Sequence, residues 1–547
     1  MVTGSSGRSE ARRPLAGGPR RALITSAALL AAAGGGAAPA PPPEPSAADL
    51  GARLYREGLS VAGAPVPAIV QGDLPVRSTD MPCVSCHRRS GWGTSEGPVT
   101  VPPVAGGALF APVTRGHPEM GRLRTTGAGT RPAYDEPALL RAVRDGVDPA
   151  GRALAPTMPR YAIGAADAAA LASHLRSLSS APAPGVTGDT VHLATILTPE
   201  VGASRRASML DVLRTYVRHK NAGTRNETGR RERGPWDMAR HNASHRTWVL
   251  HEWELKGPAA GWPGQLRELY RRRPVFAVLG GLSEDDWTPI HEFSEREGLP
   301  AILPQTPLPP DEAHAEDFYS LYFSRGVRLE AAALAERLGP SARRVLQVSR
   351  CRGPGGAAAA ALVRLAAPAV AVRSECLDGD GAAPSRAGRP DTLVLWLGPG
   401  DIARAQRMAE AAVGQGVKDV FASSSLLGDE ARRLPAWLAA RASLLHPFVP
   451  PGELDRHAWR ALAWMKANGI APEDRPVAVN ALFAAMLAGD ALAHPRALVS
   501  REYFLERVEH MAPRLPVRSA LPAVVFGPQR RFASSACHVI GAPPAIP

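Results

Sequence analysis

Two cysteines three residues apart, Cys83 and Cys86, are followed at once by His87. Thiols at that spacing can each add to a vinyl group of one haem. The histidine that follows then lies under the iron, with Nε2 as ligand and Nδ1 held by a backbone carbonyl. A zinc site is the competing use of a Cys-x-x-Cys pair. It needs four ligands, and no second cysteine pair lies nearby to complete a tetrad. The expected cofactor is therefore one covalent haem c, attached through Cys83 and Cys86 with His87 on the metal. A second axial ligand should lie downstream, and Met158 in Ala155-Pro156-Thr157-Met158-Pro159-Arg160-Tyr161 is the candidate. Met81 is too close to the attachment motif to reach the far face. Met120 and His117 are the rivals, and His117 would give a low-potential bis-histidine centre. A lone methionine also serves as core packing.

The rest of the chain must export and position these residues. Arg8, Arg12, Arg13, Arg20 and Arg21 precede the apolar run Ala22–Ala33, and Ala38-Pro39-Ala40 supplies small residues for cleavage. Residues 1–40 thus read as a signal peptide, with an apolar run too short to span a bilayer. Arg20-Arg21 invites a twin-arginine reading, but haem is attached to an unfolded chain outside the cytoplasm, which favours the general secretory route. No cysteine follows the apolar run to carry a lipid anchor. The expected location is the periplasm.

A chain of 547 residues exceeds one core; about three or four domains is the prior. The Pro-rich run 41–48 reads as an extended linker, 49–178 as a small helical domain and 179–189 as a second linker. From 190 to 547 short β-branched runs alternate with Ala/Arg/Glu-rich helices. Expected strands are Val191–Leu197, Trp248–Trp253, Val275–Leu279, Ala301–Leu303, Val345–Val348, Ala369–Val372, Leu393–Trp396 and Asp419–Ala422. Helices expected between them include Met209–Arg218, Gln265–Tyr270, Pro289–Arg296, Leu329–Leu338, Ala357–Leu365, Ile402–Val413 and Pro435–Ala442. Apolar strands alternating with helices imply right-handed βαβ units and parallel sheets. The net charge of +13 is almost wholly arginine, since Lys220, Lys256, Lys418 and Lys466 are the only lysines. With the Ala, Gly and Pro excess this matches GC-rich coding, although a basic surface also steers acidic redox partners. Nothing points to nucleic acid.

At the Met-Pro-x-Tyr element the 49–178 segment resembles the class I cytochromes c, especially the cytochrome subunits that serve quinoprotein alcohol dehydrogenases. The resemblance implies that Met158 is the sixth ligand, that Pro159 stiffens its loop and that Tyr161 packs beside it. Thioether ligation raises the reduction potential relative to two imidazoles. Gly51 and Tyr55 match the family's first helix and Ala168–Leu178 its last, with Gly51 allowing a close crossing. His174 stands where an aromatic ring is usual, and reads as structural.

Beyond Thr190, Val275–Ser283 followed by a helix and by Glu297–Pro304 resembles the type I periplasmic binding proteins of the Leu/Ile/Val family. Ser443–Phe448 is similar to that family's second crossing between lobes, and Phe526–Ser534 to its C-terminal segment. The implied fold class is multidomain: an all-α cytochrome c domain, then a two-lobed Rossmann-like α/β domain with parallel sheets. Lobe one would be about 190–325 and 446–505, and lobe two about 326–445 and 506–547. The resemblance makes Ser283 a candidate ligand contact, with helix capping as its bland alternative. Trp287 is a candidate cleft residue or a core tryptophan. Glu284, Asp285 and Asp286 would repel a carboxylate, which leaves neutral or cationic ligands open. The pairs His241/His245 and His251/Glu252 lack a metal-binding frame and read as solvated or structural. Cys351 and Cys376 each end an expected strand, so a disulfide is open to them in an oxidising compartment; Cys537 would remain a thiol.

These readings converge on a periplasmic carrier that moves one electron at a time through a His/Met haem, fused to a solute-binding module. Its redox partner would be a quinoprotein dehydrogenase or a terminal oxidase, and the module would serve a small solute and an ABC permease. The alternative is an electron-accepting subunit or docking partner of a quinoprotein dehydrogenase, whose α/β domain no longer binds solute. No nucleophile–base pair or second cofactor motif supports a catalytic centre.

Overall fold

The computed structural model describes residues 45–96, 99–114, 130–233, 246–311, 317–377, 389–414, 416–428, 434–493, 500–527 and 529–541. The signal-peptide segment and most of the Pro-rich run lie outside them, as do His117, Met120, His241 and His245.

The first ordered element is helix α1 (Ala47–Glu57), started by a capping box in which Ser46 and Asp49 satisfy each other's backbone N–H, and stopped at Gly58 in the left-handed region. A hairpin follows, β1 (Pro67–Val70) and β2 (Leu74–Arg77), then the one-turn helix α2 (Cys83–His87), the short α3 (Gly106–Leu109) and α4 (Glu136–Asp145). Strand β3 (Arg160–Tyr161) pairs with β1, and α5 (Ala165–Ser177) closes the domain. As expected, α1 and α5 cross with backbones almost touching: a Cβ on Gly51 would sit 2.0 Å from Ala170 O. Leu54, Tyr55, Leu139, Tyr161, Leu171 and Leu175 fill the core between them.

The segment expected as a second linker is pinned rather than loose. Strand β4 (Val186–Thr187) adds antiparallel to β5 (Thr190–Leu197). Pro184 O receives a guanidinium N–H from Arg501 at 3.3 Å.

After β5 come α6 (Ala203–Arg233), β6 (Thr247–Glu254), α7 (Trp262–Arg272), β7 (Ala277–Leu279), α8 (Thr288–Arg296), β8 (Ala301–Ile302) and β9 (Ser320–Leu321). They form a sheet of order β9-β8-β7-β5-β4, with β6 paired to β5; β5 to β9 all run parallel. Helix α6 runs well past the expected Met209–Arg218, because Ala, Arg and Glu continue it where its apolar face has ended. Asn221 then clips it to the sheet, exchanging two 2.8 Å hydrogen bonds with the backbone of Trp248.

The second sheet is built from α9 (Val327–Leu338), β10 (Arg343–Ser349), α10 (Gly353–Leu365), β11 (Val370–Cys376), β12 (Thr392–Trp396), α11 (Pro399–Gly414), β13 (Asp419–Ser423), α12 (Ser424–Leu427), α13 (Ala436–Ala439) and β14 (Ala442–His446). The expected helix Pro435–Ala442 is the single turn α13. Ala442 instead opens β14, whose apolar residues are recruited by the parallel neighbour β13. Helices α14 (Trp459–Ala467), α15 (Arg475–Leu492) and α16 (Arg501–Met511) return to the first sheet, and β15 (His538–Gly541) ends antiparallel on β14. The second sheet has the order β11-β10-β12-β13-β14-β15.

Two parallel sheets flanked by helices thus make the two-lobed α/β architecture. The chain passes between them at 323–326, 447–453 and 534–537. The outer two crossings run side by side, with Ser534 N donating to Phe323 O at 2.8 Å. One boundary moves. Val508, Leu515, Val517, Leu521, Phe526 and Ala533 belong to the core of the first lobe, so the chain rejoins lobe two only after about 533. Their apolar side chains complete the face of α15, which is buried nearly all round. Near the crossings Glu330 is fully buried in the first turn of α9, and its Oε1 accepts Ser425 N at 3.0 Å. Burial pushes this carboxyl up to about 7.

Candidate functional site

Helix α2 is one turn long and follows the extended Pro82. One turn suffices to bring Cys83, Cys86 and His87 together, since i, i+3 and i+4 share a helical face. His87 is buried, and its Nδ1 lies 3.0 Å from Pro102 O. A carbonyl can only accept, so the ring proton is on Nδ1 and Nε2 presents a lone pair. Among the described residues Nε2 has no hydrogen-bond partner. Burial lowers the His87 pKa, against an opposing contribution from the Pro102 carbonyl, and keeps the ring neutral as metal ligation requires. The turn behind the ring is closed by Gly93 N donating to His87 O at 3.0 Å. Gly93 has φ 67°, and a Cβ there would meet Val101 O at 2.2 Å, so only glycine fits.

Both attachment thiols are free. Burial pushes the Cys83 thiol up to about 12, favouring the uncharged form. Among the described residues no three His, Cys, Asp or Glu side chains gather to hold a metal ion, so the zinc alternative finds no tetrad. An open imidazole nitrogen beside two free cysteines fits covalent haem.

Met158 is half-buried and packs against the same core cluster as Cys83 and Val84. Its loop is held from several sides. Arg160 donates to Met158 O at 2.5 Å and Leu154 O at 2.9 Å, and Gln71 N to Pro156 O at 2.9 Å. Tyr161 does more than pack: its hydroxyl donates to Met81 O at 2.6 Å, tying the methionine loop to the residues before α2. His174 lies buried against Tyr55 at 5.3 Å between ring centroids, and burial pushes it down to about 4; it is structural, as expected.

The Ser283 loop is different in kind. Ser283 is 1% exposed, and the helix after it starts only at Thr288, so the serine does not cap it. Its Oγ accepts Asp285 N at 3.0 Å and lies 3.3 Å from Glu200 Oε1. That carboxylate oxygen also accepts the Thr198 hydroxyl at 2.5 Å and Glu284 N at 3.3 Å. Arg205 pairs with Glu284, and with Asp474 at 3.1 Å. Trp287 is wholly buried and packs in the core with Trp262, Ile290 and Phe293. His251 stacks on His192 at 5.3 Å, and Glu252 pairs with Arg214 at 2.8 Å, so both are structural. Cys376 pairs in register with Ser349, two residues before Cys351. Both cysteines are exposed at neighbouring strand ends. Burial pushes the Cys537 thiol up to about 12.

The sequence reading missed the surface joining the small domain to lobe one. Residues directly after His87 build it. Ser90 is 0% exposed; its N and Oγ donate to the two carboxylate oxygens of Glu506 at 2.9 and 2.5 Å. Trp92 meets Tyr503 edge to face at 6.3 Å, and the Arg89 guanidinium lies 4.6 Å over the Phe318 ring. Ser179 Oγ is 3.0 Å from Ser500 Oγ. Beside them the buried Arg501 donates to the carbonyls of Pro184, Val275, Phe276, Glu297 and Gly298 and to the Tyr270 hydroxyl. A tryptophan and a serine soon after His87 were the available signal, but their partners stand over 400 residues away.

No family model matches the sequence, and no curated protein matches it. Among solved structures the chain is similar to a branched-chain amino acid transporter substrate-binding protein from Streptococcus pneumoniae in complex with isoleucine. Identity is 12%, over 64% of this chain and 99% of that one, with a TM-score of 0.44. It is likewise similar to a branched-chain amino acid ABC transporter protein from Thermus thermophilus with bound valine, at 12% identity, over 65% and 94% of the two chains, TM-score 0.45. A periplasmic binding protein type 1 from Bordetella pertussis matches at 14% identity, over 63% and 94%, TM-score 0.45.

Proposed function

We propose that this chain is a periplasmic electron carrier, in which a c-type haem domain is fixed to a two-lobed α/β binding fold. Cys83 and Cys86 would hold the haem, and His87 and Met158 its iron. The observation that carries the reading is the His87 ring: buried, proton fixed on Nδ1 by Pro102, Nε2 left open. A bound haem supplies a one-electron Fe(III)/Fe(II) couple. The chain's own part is to keep the imidazole neutral and oriented, hold the Met158 loop through Arg160 and Tyr161, and exclude water with the α1–α5 core. The redox partner would be a quinoprotein dehydrogenase or a terminal oxidase.

For the α/β domain, the two-lobed form supports a solute-binding module that could serve an ABC permease. The filled Ser283 loop favours the second reading, a docking subunit that no longer takes solute there, since Glu200 already occupies its donors.

The test is a pyridine haemochrome spectrum of the full chain, made in a host with haem-attachment machinery. Covalent haem c is expected, and it is lost in Cys83→Ala/Cys86→Ala. A full-length chain that leaves that host without covalent haem would overturn the proposal.

A further inference from the structure

We propose that residues 306–311 act as a strap that fixes the two lobes to each other and holds the cleft at a single opening. The segment leaves lobe one between β8 and β9. Its backbone belongs to that lobe. Leu308 forms a parallel bridge with Asp286, its carbonyl accepts Trp287 N at 3.0 Å, and its own N donates to Thr306 Oγ1 at 3.1 Å. Its side chain belongs elsewhere. Leu308 is 5% exposed and lies in the core of lobe two with Val327, Ala331, Leu334 and Leu362. Among the described residues it is the one member of that core that precedes the crossings.

Polar ties span the same gap on either side of the leucine. Pro307 O accepts Val327 N at 2.9 Å, and Pro309 O accepts the Arg328 guanidinium at 2.5 Å. Asp311 pairs with Arg328 at 3.5 Å and with Arg364 at 3.9 Å. Arg364 stands in the last turn of α10, so the hold extends away from the crossing at 323–326. The close approach also accounts for a glycine. Gly326 has φ 56°, and a Cβ there would meet Pro307 O at 2.1 Å.

Two-lobed folds open by turning about a few residues that absorb the backbone change. Three crossings alone permit that turn. A fourth tie that buries a leucine opposes it, because opening would pull the side chain into water and leave a void behind it in lobe two. The exposed pairs of Asp311 add little; Leu308 carries the hold. The α/β domain then works as a fixed platform, and the small domain docked on lobe one keeps a constant place relative to lobe two. This inference stands whether or not the small domain carries haem.

The experiment is a pulsed electron double-resonance measurement on the full chain, with spin labels on non-canonical residues at the exposed positions Arg267 in α7 and Arg337 in α9. The wild-type sequence should give one narrow distance distribution. Leu308→Ala should add a second population at a different distance. Two populations without the substitution, or an unchanged distribution in Leu308→Ala, overturn the proposal. Should Leu308→Ala not fold, the milder Leu308→Val/Arg328→Ala carries the test. It should broaden the distribution, and an unbroadened one overturns the proposal.

Discussion

The α2 turn and the Ser283 loop both offer polar side chains for chemistry, and the fold treats them in opposite ways. At α2 the His87 carbonyl accepts Gly93 N at 3.0 Å, and among the described residues the His87 Nε2 has no hydrogen-bond partner. At Ser283 the side-chain oxygen and the neighbouring N–H are already turned to Glu200. The Nε2 of His87 is thus available to an incoming ligand, whereas the donors at Ser283 are already spent on the chain itself.

The largest expected effect that could break this contrast is at His87. His87→Ala should abolish the low-spin haem spectrum, while Ser283→Ala leaves it unchanged; equal spectra in the two variants would erase the distinction. Met158→Ala comes next. It should remove the thioether–Fe(III) charge-transfer band at the red edge while covalent haem remains, and persistence of that band assigns the sixth position elsewhere.

A smaller effect concerns pH. The carboxyls of Glu330 and Glu506 are raised from 4.5 to about 7 and about 8. Between those values and 4.5 the native state holds protons that the unfolded chain has released. Their contribution to stability is therefore full below about pH 4.5 and is lost as pH rises through 7 to 8. Urea midpoints should fall across that window, and Glu330→Gln/Glu506→Gln should flatten the fall. The smallest effect is expected at Glu200. Glu200→Ala should change stability by only about 1 kcal/mol, while freeing the Ser283 hydroxyl and Glu284 N for a small neutral ligand. Acetamide should then raise the melting temperature of the variant and not of the wild type, and identical curves would show that Glu200 does not fill the loop.

What was legible in the sequence follows the reach of each interaction. The α2 turn was readable because Cys83, Cys86 and His87 act within a single helical turn, and the close α1–α5 crossing because Gly51 and Tyr55 share one face. The parallel strands were readable from their β-branched runs, and their boundaries shifted by only a few residues. The occupant of the Ser283 loop was not readable, since Glu200 lies 83 residues earlier. Neither was the burial of Trp287, which depends on Trp262 and Phe293 from another helix and its own. The mistaken helix at 435–442 has the same origin: local propensity pointed to helix, and a neighbouring strand decided otherwise.

The Ser90–Glu506 contact spans 416 positions of chain. A polypeptide that emerges from its N-terminus presents the loop after His87 long before α16 exists to cover it. Only the arrival of residues 500–511 gives Ser90 its carboxylate partner. The loop is therefore among the first parts of the molecule to be made and among the last to be closed.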